Sequence, residues 1–250
     1  MNLLLFLLLT FSATPLQNFF SGTYLVIWNV GQGQWATQIT PERCQHFDMG
    51  GEFFPWKKLH QACGDKTNEI YLSHWDWDHI GALSKPALRR TLGHRCLALA
   101  PDGPASKYKK SLLANLSSCS ARDSDLKIWT PFTAEKDSNA RSHVLLHREV
   151  LLPGDSPQKQ EVLWSQLPWV RTARVVVLGH HGSRTSSSEQ LFRALPRVRL
   201  TIASARWARY RHPHPQVLER LRQHHLPLLR TEDWGNIWLE GPEHPTTSGK

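Results

Sequence analysis

Apart from one run at its N-terminus, the 250-residue chain has no apolar stretch near the ~20 residues that a membrane-spanning helix requires. No transmembrane span is therefore expected in the mature chain. There is no internal repeat and no linker long enough to split the chain into separate units. Cysteine is scarce, and Cys44, Cys63, Cys96 and Cys119 lack the CxxC spacing of structural zinc sites. Acidic residues are the minority charge, 21 Asp plus Glu against 30 Lys plus Arg, which leaves a formal charge of +9. That sign favours anionic partners such as nucleic acid or anionic lipid and says nothing about fold; the plain alternative is a basic surface that aids solubility. With 40% hydrophobic and 20% charged residues, the composition is neither disordered nor collagen-like. Two residue types are abundant instead, 14 His and 11 Trp. Many histidines permit metal chemistry without requiring it.

Residues 3–9 read Leu-Leu-Leu-Phe-Leu-Leu-Leu, followed by small residues at Thr10, Ser12 and Ala13. This is the form of a short secretory h-region with cleavage near Ser12 or Ala13, so residues 1–13 are expected to be a signal peptide and the protein to be secreted or periplasmic. No Lys or Arg precedes the run. A buried N-terminal strand or a truncated membrane segment is the competing reading. In an oxidising compartment four cysteines allow three disulfide connectivities. The short-range set, Cys44–Cys63 with Cys96–Cys119, would close two surface segments, each closure stabilising by about 3 kcal/mol in the loop-entropy picture. Four reduced, partly buried thiols are the alternative.

Strand and helix patterns alternate along the chain. Strands are expected at 23–30, 36–40, 44–48, 69–73, 174–178, 200–204, 226–230 and 236–239, with a tight hairpin from 144–146 and 149–152. Helices are expected at 84–92, 157–167, 187–195 and 215–224, the third capped by serines and the last entered through Pro215. Residues 101–140 are polar and rich in Pro, Gly, Ser and Lys, and read as a long irregular excursion. Two β-rich halves with helices outside imply a layered α/β architecture. Residues 22–240 are expected to form the domain, and 241–250 a flexible tail.

The chemistry-bearing residues fall at strand ends. His74-Trp75-Asp76-Trp77-Asp78-His79 follows a strand and places four metal-capable side chains within six residues. Imidazole with carboxylate suits zinc, manganese or iron. In a loop, alternate residues can point at one centre while Asp78 and His79 turn to a second. Leu151-Leu152-Pro153-Gly154-Asp155 ends a strand on a carboxylate that could bridge two metals; alone, it reads as a turn residue or helix cap. Val175 to Ser183 is a buried strand ending on His180-His181-Gly182-Ser183. One of the two histidines can ligate, and the backbone and hydroxyls from Ser183 to Ser188, Ser187 among them, could receive a phosphate at a helix N-terminus.

These clusters, in this order, resemble the metallo-β-lactamase superfamily, and more closely the soluble domain of the ComEC DNA-uptake family. The similarity is carried by Asn29-Val30-Gly31-Gln32-Gly33, Asp48-Met49-Gly50, the His-x-Asp-x-Asp-His loop, Pro153-Gly154-Asp155, His180-His181-Gly182-Ser183 and His212-Pro213-His214-Pro215, across residues 23–240. The resemblance implies a four-layer αββα sandwich with two divalent metal ions, zinc or manganese, at one edge. It implies that Asp48 orients the metal loop, that His74 and Asp76 hold the first metal and Asp78 and His79 the second, that Asp155 bridges, and that one of His180 and His181 completes the set. Asn29 and Gln34 stand where that family usually has Asp. The separate histidine that many superfamily members add to the first metal has no clear counterpart; His143 and His147, on the hairpin, read as core or surface residues. Within these 250 residues the family's long channel part has no counterpart, so the chain is not expected to conduct DNA itself, and a membrane channel would be its partner.

A two-metal centre suits phosphodiester hydrolysis, with Asp78 the carboxylate expected to hold the attacking hydroxide. Arg184, Arg206, Arg209 and Arg211 with His212 and His214 are candidate phosphate contacts, since Arg grips phosphate through a planar fork; a solvated basic face is the alternative. Trp75 and Trp77 could stack bases or wall the site. Three functions follow: a secreted metal-dependent nuclease acting on DNA in preference to RNA, another hydrolase of phosphodiesters or esters, and a non-catalytic DNA-binding subunit. The intact set Asp78, His79 and Asp155 argues against the last.

Overall fold

A computed structural model describes residues 22–120, 124–132 and 135–240. The expected signal peptide at 1–13 and the expected tail at 241–250 lie outside the described residues. In chain order the elements are β1 (Tyr24–Ile27), β2 (Ala36–Ile39), β3 (Arg43–Phe47), α1 (Trp56–Cys63), β4 (Thr67–Tyr71), α2 (Trp77–Ile80), α3 (Pro86–Thr91), β5 (Arg95–Leu99), α4 (Lys107–Ala114), β6 (Ser117–Ser118), β7 (Leu126–Trp129), β8 (Val144–His147), β9 (Val150–Leu152), α5 (Gln158–Trp164), β10 (Val175–Val177), α6 (Glu189–Ala194), β11 (Leu200–Ala203), α7 (Trp207–Tyr210), α8 (Pro215–Gln223), β12 (Leu228–Arg230), α9 (Thr231–Trp234) and β13 (Ile237–Glu240).

The strands form two sheets, ordered β13-β1-β2-β3-β4-β5-β6 and β12-β11-β10-β9-β8-β7. Side chains alternate across a strand with a period of two, so each sheet sends its apolar residues both ways. Leu25, Ile27, Phe47 and Tyr71 from the first sheet meet Leu145, Leu152, Val177 and Ile202 from the second in one central core. Their neighbours Val26, Trp28 and Ile70 point outward and pack with Leu59 of α1 and Leu88 of α3. On the other side Leu146, Leu151 and Val176 pack with Trp164 of α5 and Leu191 of α6. Four layers, helix–sheet–sheet–helix, result.

Ser188 accepts the Leu191 amide at the start of α6 as its serines suggest, and His214 accepts the Gln216 amide at the start of α8, with Pro215 in its first turn. The sequence expectation fails at 101–140, which holds α4, β6 and β7 and is not irregular throughout. In α4 only Leu113 is buried, so no apolar stripe marks it, and β6 has two residues. β7 is an edge strand, paired on one side alone. α1 and β5 are also absent from the sequence reading; β5 is half-buried throughout and shows no alternation. The disulfides are Cys44–Cys63, joining β3 to the end of α1, and Cys96–Cys119, joining β5 to the residue after β6. This is the short-range pairing, one of the three that the sequence allows.

Candidate metal centre

β3 pairs parallel with β4, and β9, β10 and β11 pair parallel with one another. Parallel pairing brings the C-terminal ends of neighbouring strands to one edge of each sheet. Asp48 follows β3, His74 to His79 follow β4, Asp155 follows β9, and His180 and His181 follow β10. The topology thus delivers every metal-capable residue singled out in the sequence to the same edge of the sandwich.

Asp48 organises the loop from behind. Its carboxylate accepts the Ser73 amide at 2.7 Å, the Ser73 hydroxyl at 2.7 Å, the Gln34 side-chain amide at 3.1 Å and His79 Nδ1 at 2.7 Å. With its proton given to Asp48, the Ser73 oxygen can accept from His74 Nδ1, 2.9 Å away. Both rings therefore turn Nε2 forward. His181 is oriented alike, its Nδ1 donating to the Ser204 carbonyl at 3.0 Å. His180 and His181 both have left-handed backbones, with φ of 48° and 56°, a conformation that non-glycine residues seldom adopt. That turn aims two consecutive rings at one carboxylate.

The carboxylate is Asp155. Its Oδ1 lies 2.9 Å from His79 Nε2 and 3.7 Å from His181 Nε2, and its Oδ2 lies 3.7 Å from His74 Nε2 and 3.5 Å from His180 Nε2. Asp76 Oδ2 is 3.6 Å from His74 Nε2, and Asp78 Oδ2 is 3.2 Å from His181 Nε2. Ligand atoms of Asp78, His79, Asp155 and His181 all fall within 4.8 Å of one another. His74 Nε2, His79 Nε2 and Asp155 Oδ1 are buried without a hydrogen-bond partner; the 2.9 Å approach of the last two lacks hydrogen-bond geometry. Buried polar atoms are nearly always paired, and a bound ion is one of the few explanations for a converging set that is not. Imidazole and carboxylate without thiolate fit a divalent metal.

The electrostatics agree. Burial would lower the His79 pKa, yet the Asp155 and Asp48 carboxylates raise it well above the usual value. Burial would raise Asp155 and Asp78; His79 and His181 hold Asp155 far below the carboxylate range, and the hydrogen bond from His181 with the charge of His79 depresses Asp78. Contact with His74 lowers Asp76. The acids here stay ionised, as ligands of a cation must.

The loops beneath are fixed by backbone. Gln34 N donates to Asp78 O at 2.9 Å and Met49 N to His79 O at 2.6 Å. A Cβ on Gly50 would lie 2.1 Å from the Asp78 carbonyl carbon, and one on Gly33 would lie 2.8 Å from the Asp78 carbonyl oxygen. Glycine at both is a requirement of close approach.

The residues read as substrate contacts are placed less uniformly. Arg184 is exposed. Ser183 is buried at the turn, its hydroxyl 3.1 Å from Thr185, which in turn reaches His180 Nδ1 at 3.3 Å. Ser187 is fully buried, and the Ser187 and Ser188 amides donate to the buried carboxylate of Glu161, which fills the place considered for a phosphate. Arg206 and Arg209 both pair with Glu52, at 3.2 and 2.7 Å. Arg211 lies over the Trp207 ring, 5.9 Å from its centre. His212 meets Gln32 Nε2 at 3.0 Å, and its ring centre stands 6.3 Å from that of His180. Burial, with His181 and His180 nearby, lowers the His212 pKa to about 4. His214 is spent as a helix cap. His143 Nε2 donates to the Ala100 carbonyl at 3.0 Å, and His147 packs on Phe47 in the central core. Sequence reasoning passed over Ser73, Glu52 and Glu161; the Ser directly before His74 was the one available signal.

An αββα sandwich with a histidine–carboxylate cluster at the strand ends is the metallo-β-lactamase fold. Solved structures agree. The metallo-β-lactamase fold protein YhfI from Bacillus subtilis superposes with a TM-score of 0.54 at 10% identity, covering 88% of this chain and all of its own. A diphosphatase of the PhnP family gives 0.52 at 12% identity, covering 85% of each. No family model matches the chain.

Sequence similarity narrows the class. The chain is 28% identical to Competence protein ComA of Neisseria gonorrhoeae over 224 residues, 83% of this chain and 31% of that protein. It is 31% identical to ComE operon protein 3 of Bacillus subtilis over 123 residues (46% and 16%) and 33% identical to Recombination protein 2 of Haemophilus influenzae over 103 residues (40% and 13%). The chain spans less than a third of the length of these relatives. It is a metallo-β-lactamase-fold protein similar in sequence to part of the ComEC-type competence proteins.

Proposed function

We propose that this protein is an extracytoplasmic, metal-dependent nuclease that hydrolyses DNA phosphodiester bonds. The observation that carries the reading is the convergence of the buried, unpaired Nε2 atoms of His74 and His79 on Asp155, with His74, His79 and His181 each held from behind through Nδ1. His74, Asp76 and His180, on the Oδ2 side of Asp155, would hold one ion. Asp78, His79 and His181, on the Oδ1 side, would hold another. Two such ions, zinc or manganese, supply a water of lowered pKa and charge compensation for the scissile phosphate. Asp78, partly open at the mouth, would be the carboxylate placed to orient such a water. Asp48 and Ser73 keep the rings in the tautomer that presents Nε2. The net charge of +9 and the competence relatives favour DNA as the substrate. The two disulfides favour an oxidising compartment.

A smaller phosphoester is the second reading, favoured by the pairing of Arg206 and Arg209 with Glu52, which removes two candidate phosphate contacts. One assay separates the two: DNA, RNA and bis(p-nitrophenyl) phosphate, each with manganese or zinc and with chelator. Metal-stimulated DNA cleavage is expected. Turnover of the small diester without cleavage of DNA would remove the nuclease and keep the hydrolase.

A further inference from the structure

The two tryptophans of the metal loop have opposite fates. Trp75 is buried in the hydrophobic core, whereas Trp77, between Asp76 and Asp78, is 44% exposed. Beside it stands α4. Tyr108 is 56% exposed, with its ring centre 6.0 Å from that of Trp77. Lys109 lies 5.0 Å over the Trp77 ring and donates to the Trp75 carbonyl, which ties α4 to the loop. Lys107 and Lys110 are exposed on the same helix, and among the described residues no ion pair joins either to an acidic side chain. Arg206 and Arg209, by contrast, share the single carboxylate of Glu52. Two exposed rings beside the loop, with a cation over one of them and further lysines on the same helix, match a ligand that presents flat π-faces on a polyanionic backbone.

We propose that Trp77 and Tyr108, with Lys107 and Lys110, form a stacking platform that guides single-stranded nucleic acid to the metal centre. The rings stack on bases irrespective of sequence, and the ammonium groups follow the phosphates. Duplex bases are already stacked and offer the rings nothing, so the platform selects single strands or frayed ends. The placement beside the site rests on the phosphodiesterase reading; the binding surface itself does not.

The test is fluorescence anisotropy of the whole protein with labelled dT15, rU15 and a 15-base-pair duplex, in chelator so that nothing is cleaved. Wild type should prefer dT15 to duplex. Trp77→Ala should weaken dT15 binding about tenfold, Trp77→Phe should restore most of it, and Tyr108→Ala should act in the same direction. Lys107→Ala with Lys110→Ala should reduce the slope of log affinity against log salt by about 1.4, the value for two single-strand phosphate contacts. The rU15 arm reads whether the platform takes RNA equally. Wild-type affinity for dT15 in Trp77→Ala and Tyr108→Ala overturns the proposal, as does a wild-type protein that binds no oligonucleotide and leaves the patch to a protein partner. Turnover of bis(p-nitrophenyl) phosphate by the wild type reports the metal centre separately. Variant-sensitive binding without that turnover removes the metal-dependent hydrolase and keeps the platform; turnover with variant-insensitive binding keeps the hydrolase and removes the platform.

Discussion

His79 and His46 are both fully buried and both sit among polar neighbours, yet they answer different needs. His46 lies on the outer face of the first sheet, beneath α1. Its Nδ1 faces the Thr37 hydroxyl at 2.9 Å and accepts from Trp35 Nε1 at 3.2 Å, while Nε2 donates to Asn68 Oδ1 at 2.9 Å. Thr37 accepts in turn from Trp28 Nε1. Every polar atom of that ladder has a partner, and no carboxylate takes part. Burial lowers the His46 pKa to about 4, against the hydrogen bond to Asn68, and the ring stays neutral. His79 has a carboxylate on each side and an Nε2 without a hydrogen bond. A satisfied buried imidazole is architecture, whereas one left unpaired among ionised acids is poised for an ion.

The largest effect that separates the two regions should come from Asp78→Ala. Metal-stimulated turnover should vanish while the circular dichroism spectrum and thermal midpoint stay near wild type; retention of full rate would mean that the ligand assignment is wrong. Asp48→Asn should lower metal affinity about 10- to 100-fold by releasing His79 and Ser73, measured by titration against a competing chelator, and Ser73→Ala should do the same more weakly. On the other side of the comparison, replacing Cys44 and Cys63 with Ala should cost about 3 kcal/mol in denaturant unfolding with metal content unchanged. Acid should act on the His46 ladder as well. With a folded pKa near 4 and an ordinary value of 6.5, the unfolded chain binds the extra proton first. Stability then falls as pH drops from 6.5 toward 4, by about 3 kcal/mol in all. His46→Gln should flatten that limb. An unchanged acid limb in this variant would show that His46 is not the group responsible.

The sequence showed the parts of this molecule where residue type and spacing carry the information, and hid those where partners do. The His-x-Asp-x-Asp-His loop, Pro153-Gly154-Asp155 and the His180-His181 pair are legible because each metal-capable side chain ends a strand, and parallel strands end together. Whether His180 or His181 faced the cluster was open, since it depends on two successive left-handed residues that no pattern announces. Arg206 and Arg209 read as phosphate contacts because a lone arginine count cannot reveal Glu52, more than 150 positions away. The segment 101–140 read as irregular because α4 spends its surface on lysines and Tyr108, keeping one buried leucine.

A Cβ on Gly50 would meet the Asp78 carbonyl carbon at 2.1 Å. The consequence concerns tolerance. The backbones of Asp78 and His79 are seated by main-chain atoms of the underlying loops, so one added methyl at Gly50 displaces both together. Fidelity of the metal loop is therefore stored in a gap, and a Gly50→Ala chain would keep all its ligands and lose their alignment.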